Sequence, residues 1–225
     1  MGSHSHVDDG DSFFDTKQKL GTGGSGFVDS SLAFIMTPIA DYDLRSFLEA
    51  LGPQQDRIAE KELLLEFFGC LAIAIRTLHG CQIRHMDIKP SNILIKGRTV
   101  LVCDFGISRD WSGTSGDTTH GPIYKKTAKY CSPEVDDGGQ RNKASDIFSL
   151  GVVYLEMMSV IGGSTVEEMR TFLRQNGYTT DVACRNLLGV NKWIEELRKA
   201  LIDEEAAPLQ WICRMVRPSW LHGGL

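Results

Sequence analysis

Four side chains stand at spacings that suit one reaction. Lys89 lies two residues after Asp87, Asn92 lies five after it, and Asp104 comes twelve residues after Asn92. An Asp near a substrate hydroxyl acts as a base. A Lys neutralises a transferred phosphate, and Asn and Asp oxygens suit a hard divalent cation. Phosphoryl transfer needs these parts, because its catalysis rests on positioning and charge. The alternative, a polar turn followed by an unrelated Asp-Phe-Gly, leaves the joint spacing unexplained.

A second segment bears on phosphate. Residues 21–28 read Gly-Thr-Gly-Gly-Ser-Gly-Phe-Val, with Gly21, Gly23, Gly26 and Val28 at G-x-G-x-x-G-x-V spacing. Glycines let a backbone approach phosphate closely and present N–H donors to it. A Gly-rich hairpin turn explains the segment about as well. A dinucleotide-binding βαβ unit needs a helix next, and a β-like segment follows here instead.

Taken together, residues 85–92 (His-Met-Asp-Ile-Lys-Pro-Ser-Asn), Asp104-Phe105-Gly106 and the Gly-rich segment resemble the protein kinase family. Lys89-Pro90-x-Asn92 resembles its serine/threonine branch. The resemblance covers about residues 17–216. It implies an α+β fold with a β-rich small lobe and a mainly helical large lobe. It implies ATP and Mg²⁺ as cofactors and a protein substrate. Asp87, Lys89, Asn92 and Asp104 would be catalytic, with Asn92 and Asp104 holding the metal. Leu20 and Val28 would cover the adenine and Leu94 would be its floor. Met36 falls at the gatekeeper, and Thr37 to Ile39 at the hinge. His85 is expected as a packed residue near Phe105. Asp146 resembles the family's anchoring Asp, which accepts backbone N–H groups of the catalytic loop; a plain N-cap predicts nearly the same geometry. Residues 127–134 (Thr-Ala-Lys-Tyr-Cys-Ser-Pro-Glu) resemble the end of an activation segment, with Ser132 in place of Ala.

The resemblance has departures. Met86 stands where the family usually has Arg, so a loop phosphate loses its main partner. No Lys occurs between Lys19 and Lys61. The phosphate-binding Lys and its Glu partner are therefore absent, and the small lobe reads as truncated. A pseudokinase acting as a binding or scaffold module is the alternative function. Arg217 is a candidate partner for Glu134. The gap and the odd C-terminus together read as a shortened product.

Composition narrows the class. The chain has 225 residues, 42% of them apolar, enough for a real core. Net charge is −5 with a pI of about 5.7 and no basic stripe, which argues against nucleic acid as a partner. Six cysteines are scattered without a C-x-x-C pair and suit reduced thiols in the cytoplasm or nucleus. The polar, acidic N-terminus is not a signal peptide. The apolar run 147–161 carries Ser149, Glu156 and Ser159, and reads as too short and too polar for a bilayer.

Periodicity then predicts the elements that position the site. Residues 1–15 read as a disordered tail, with His4 and His6 solvated. A remnant small lobe spans 16–36, with a hairpin over 17–29 and a strand from 32. The hinge and helical large lobe span 37–216, followed by an irregular tail over 217–225. Helices are expected over 43–51, 61–79, 146–159, 165–176, 191–203 and 208–216. Short strands are expected at 83, 93–95 and 100–102, and a polar loop over 110–122.

Overall fold

The computed structural model describes residues 39–52, 57–110, 128–139 and 141–217. The chain divides into two compact units, Met1–Ala40 and Asp41–Leu225, and the account below concerns the second.

A short strand β1 (Tyr42–Asp43) leads into helix α1 (Leu44–Leu51). Asp43 caps the helix: its Oδ1 accepts from the Ser46 N–H at 2.8 Å, satisfying one orphan donor of the first turn. Leu44, Leu48 and Leu51 form the buried stripe, and Gly52 ends the helix at φ +46°, a conformation that favours glycine. Helix α2 (Ile58–Gly80) buries Leu64, Phe67, Phe68, Leu71 and Ile75, one face at helical spacing. It starts three residues before the periodicity predicts.

Strand β2 (Ile83–Arg84) follows, then a 3₁₀ turn over Pro90–Asn92, and the hairpin of β3 (Ile93–Lys96) and β4 (Thr99–Val102). The hairpin loop is two residues, Gly97 and Arg98, with Lys96 opposite Thr99. Gly97 takes φ +56°, as such tight loops require. Asp41 steadies it by accepting from Gly97 N–H and from Lys96 Nζ, both at 2.8 Å. β1 joins the hairpin to make a three-stranded antiparallel sheet of order β1-β3-β4. β2 pairs separately with β5 (Arg109–Asp110).

The helical body comprises α3 (Pro133–Asp136), α4 (Lys143–Ile161), α5 (Val166–Gln175), α6 (Leu187–Ala200) and α7 (Asp203–Met215). Helix α4 is its axis. Every residue from Phe148 to Ile161 except the half-buried Ser149 is buried. α7, α2, α5, α1 and α6 pack around it. Tyr154 reaches across to donate to the Phe68 carbonyl at 2.5 Å, and Trp193 Nε1 donates to Ser159 Oγ at 2.9 Å. At 19 residues α4 is long and apolar enough to cross a bilayer, contrary to the expectation from length. Its burial inside the helical body marks it as a core helix.

α4 also starts three residues before the expected 146, and the two largest differences in helix start are at α6 and α7. α6 begins at Leu187 because Asn186 caps it, accepting from Gly189 N–H at 3.0 Å. Asn186 is fully buried and also donates to the carbonyls of Leu173, Tyr178 and Thr180. α7 begins at Asp203, five residues before Pro208, which lies inside the helix. Asp203, Glu204 and Glu205 in the first turn suit the positive helix N-terminus.

The closest approach of α4 to the C-terminal end of α7 is at Gly151, where an added Cβ would stand 2.8 Å from Met215 Cβ and 3.1 Å from Val216 Cγ1. Gly151→Ala should lower stability in urea unfolding by about 1–3 kcal/mol. Gly69→Ala on α2 meets nothing within 4 Å and should raise it by about 0.5–1 kcal/mol. Equal shifts for the two variants would contradict this packing.

Candidate active site

The loop after β2 is held from below by α4. Asp146 accepts from the His85 N–H at 2.9 Å through Oδ2 and from the Met86 N–H at 2.8 Å through Oδ1. His79 Nε2, near the end of α2, donates to Oδ2 at 3.0 Å. Asp146 is not the N-cap of α4: that role falls to Asn142, which forms a capping box with Ser145. Asp146 lies in the first turn instead, which frees both its oxygens for the loop.

These bonds hold a strained backbone. Met86 takes φ +68° and Asp104 takes φ +63°, the left-handed region that non-glycine residues seldom occupy. His85 is fully buried and neutral-tautomer geometry fits it: Nε2 donates to the Cys103 carbonyl at 2.8 Å, and Nδ1 accepts from the Asp87 N–H at 3.3 Å. Its ring lies 4.9 Å from that of Phe105. Ser108 Oγ donates to the His85 carbonyl at 3.0 Å.

Three of the four predicted catalytic residues meet directly. Lys89 Nζ lies 2.6 Å from Asp87 Oδ2. Asn92 Nδ2 donates to the Asp87 carbonyl at 2.9 Å and to its Oδ2 at 3.1 Å. The carboxylate is thus aimed by a cation and an amide. The fourth, Asp104, is brought alongside by the β3–β4 pairing: Ile93 faces Val102, and Cys103 N–H donates to the Asn92 carbonyl at 2.9 Å.

The donor set fits a hard divalent cation. The Asn92 amide spends its N–H groups on Asp87, and its oxygen accepts no hydrogen bond among the described residues. Asp104 is exposed, with a single long contact to Gly106 N–H at 3.4 Å. Asn92 and Asp104 thus offer oxygens of the kind that a hard divalent cation takes.

The nucleotide residues are less complete. Leu20, Gly21, Gly23, Gly26, Val28, Met36 and Thr37 lie outside the described residues, as do residues 111–127, which take in nearly all of the expected polar loop over 110–122. Ile39 is 75% exposed. Leu94 is half-buried on β3, opposite Leu101 and Asp43.

Sequence reasoning missed a second network beside the loop. Tyr130 donates to both oxygens of Glu156 at 3.1 and 3.2 Å, and Arg170 Nη2 reaches Oε1 at 2.9 Å. Ser149 Oγ donates to the Tyr130 carbonyl at 2.7 Å. The network pins the chain before α3 to α4 and α5. A lone Glu within an otherwise apolar helix was the signal for it. The expected Glu134–Arg217 pair does not form: Glu134 accepts from Ser145 Oγ at 3.2 Å. Arg84, also missed, is fully buried and donates to the Arg141 carbonyl at 2.8 Å.

Burial pushes the Glu156 carboxyl above the ordinary carboxylate range, against the pull of Arg170 and the Tyr130 hydroxyl. An acid held up in the native state keeps protons that the unfolded chain has released. Its contribution is intact below about pH 4.3 and shrinks as pH rises through the native titration. Arg170→Met removes the cation that limits this shift. The variant should lose more stability at high pH than at low, approaching about 3 kcal/mol where the carboxyl must ionise alone. Urea titrations at about pH 5 and about pH 8 read the difference, and a pH-independent loss would contradict the network. Asp146→Ala should cost about 3 kcal/mol in the same assay, because it strands two loop N–H donors. Asp146→Asn, which keeps one acceptor, should cost less.

Comparison with known proteins identifies the family. The model of the protein kinase domain matches residues 25–175, more than half of the chain. A probable serine/threonine-protein kinase of Dictyostelium discoideum is 33% identical over 144 residues, 60% of this chain and 21% of that protein. Serine/threonine-protein kinase PrkC of Bacillus subtilis is 34% identical over 135 residues, 60% of this chain and 20% of the relative. Serine/threonine-protein kinase PknB of Mycolicibacterium smegmatis is 33% identical over 161 residues, 69% and 25% respectively. The chain thus spans between a fifth and a quarter of the length of these relatives. With the family's domain model matched over more than half of its length, the chain belongs to the protein kinase domain family.

Proposed function

We propose that this chain binds ATP with Mg²⁺ and transfers the γ-phosphate to a Ser or Thr hydroxyl of a protein substrate. The observation that carries this reading is the Asp87 carboxylate, held by Lys89 at 2.6 Å and by Asn92 at 3.1 Å. A carboxylate fixed in this way accepts or orients the proton of an incoming hydroxyl. Lys89, beside it, offsets charge on the transferred phosphate. Asn92 and Asp104 would hold the divalent cation, which supplies charge neutralisation at the phosphates when bound. By the family resemblance Leu94 would be the adenine floor, and Leu20, Gly21, Gly23, Gly26 and Val28 are assigned to nucleotide binding. Ile39, with Met36 and Thr37, would line its edge. The site works inside the cell, on protein rather than nucleic acid and away from a membrane.

A second reading has its own observation. No Lys lies between Lys19 and Lys61, so the cation that the family places on the ATP phosphates has no counterpart there. On that reading the chain is a pseudokinase, a binding or scaffold module that holds a partner protein without transfer.

One pair of assays separates the two. Nucleotide binding is titrated with and without Mg²⁺, and phosphate transfer to a Ser/Thr peptide mixture is measured in parallel. Binding with transfer supports the enzyme, and binding without transfer supports the scaffold. Asp104→Ala should abolish the Mg²⁺-dependent part of binding while the far-UV circular dichroism stays unchanged. Asp87→Asn should keep binding and reduce any transfer by about 10²-fold or more. Unchanged nucleotide affinity in Asp104→Ala would remove Asp104 from the metal site.

A further inference from the structure

Two thiols that the phosphate chemistry does not use face each other beside the active loop. Cys131 lies between Tyr130 and Ser132, in the segment that leads into α3. Cys184 lies in the 3₁₀ turn Ala183–Arg185 that precedes α6. They are 53 residues apart in sequence, and their sulfurs lie 3.9 Å apart. Cys131 is 8% exposed and Cys184 is half-buried, so a small oxidant reaches the pair from the Cys184 side. Arg185, next to Cys184, clamps Asp136 of α3 with bonds of 2.5 and 2.8 Å. This ion pair ties the two segments together and keeps the sulfurs opposed.

We propose that Cys131 and Cys184 are a reversible oxidation site that closes into a disulfide. The sulfur separation is about 2 Å longer than an S–S bond, so forming the bond requires the two side chains to close that gap. One thiol attacks peroxide, the O–O bond breaks, and water leaves with a sulfenic acid on that sulfur. The second thiol attacks the sulfenic sulfur, the S–S bond forms, the S–O bond breaks, and a second water leaves. Two thiols and one hydrogen peroxide give one disulfide and two waters. Either order gives the same product, because each sulfur has the other within reach. The hydrogen bond to Cys131, then burial, push the Cys184 thiol up, so the pair rests as two thiols.

The bond would join the chain next to Tyr130 covalently to the turn before α6. Tyr130 itself is held by Glu156, so the tie reaches the network under the active loop. The pairing does not depend on whether the chain transfers phosphate. A metal is the competing use of these groups, since ligand atoms of Cys131, Asp136 and Cys184 lie within 4.8 Å of one another. Arg185 argues against it, because it occupies both oxygens of Asp136 and places a positive charge at the cluster.

The full chain is reduced, desalted, exposed to hydrogen peroxide, quenched, alkylated and mapped by peptide mass spectrometry. The expected result is one linked peptide pair, Cys131 to Cys184, two hydrogens lighter than its parts and released by dithiothreitol. The link should be lost in C131S and in C184S, while Cys70 and Cys81, which are exposed, remain unlinked to either. The wild-type map stands alone if a serine variant fails to fold. Alkylation of both Cys131 and Cys184 under conditions that oxidise Cys70 and Cys81 would overturn the proposal. So would one equivalent of zinc bound to the reduced chain and lost in either serine variant.

Discussion

The Asp146 carboxylate sits in the first turn of the buried helix α4, and its two oxygens take the N–H groups of His85 and Met86. A loop backbone cannot keep two buried donors unless something accepts from them. Met86 adopts φ +68° under that constraint, and the chain direction that follows carries Asp87 toward Lys89 and Asn92. His79 donates to the same carboxylate, so the end of α2, the loop and α4 share one electrostatic centre. The low exposure of this Asp raises the strength of each bond and the cost of breaking any of them.

That centre works because α4 does not move. Its side chains are buried on nearly every face, with α7 packed so closely that a methyl at Gly151 has no room. A helix buried on nearly all sides is a rigid reference for whatever its first turn holds. The same helix carries Glu156 almost three turns further on, which takes Tyr130 and Arg170. One core element therefore positions both the loop with Asp87 and the segment that leads into α3. Glu156 on it is paired with Arg170, and breaking a buried ion pair costs on the order of 3–5 kcal/mol.

Strain collects where the chemistry is. Met86 and Asp104, on either side of Asp87, Lys89 and Asn92, both have positive φ; the third such non-glycine among the described residues is Gln82 at φ +59°, in the turn after α2. A non-glycine residue in this region is held there by its surroundings. For Met86 the surroundings are Asp146. For Asp104 they include the pairing of Cys103 with Asn92 and the contact with Gly106. The outcome is an exposed Asp104 carboxylate and an Asn92 amide oxygen that accepts from no donor among the described residues.

Much of this was legible before any coordinates. The spacing of Asp87, Lys89, Asn92 and Asp104 fixes their chemistry within one loop and one hairpin, and the structure joins the first three directly. The helices over 44–51, 58–80, 143–161 and 166–175 follow from apolar periodicity and from caps such as Asp43 and Thr165, whose partners lie three residues away. These features are local, so residue order alone determines them. The starts of α6 and α7 lie before the expected 191 and 208, because the buried cap at Asn186 and the acidic turn at Asp203 set them at Leu187 and Asp203. The partners of Asp146, Glu156 and Cys131 lie 61, 26 and 53 residues away. No period or cap links residues at that distance. Which of them meet depends on how α2, α4, α5 and the 3₁₀ turn pack, so the tertiary structure alone decided that a lone Glu in an apolar helix would hold a tyrosine, and that two scattered cysteines would face each other.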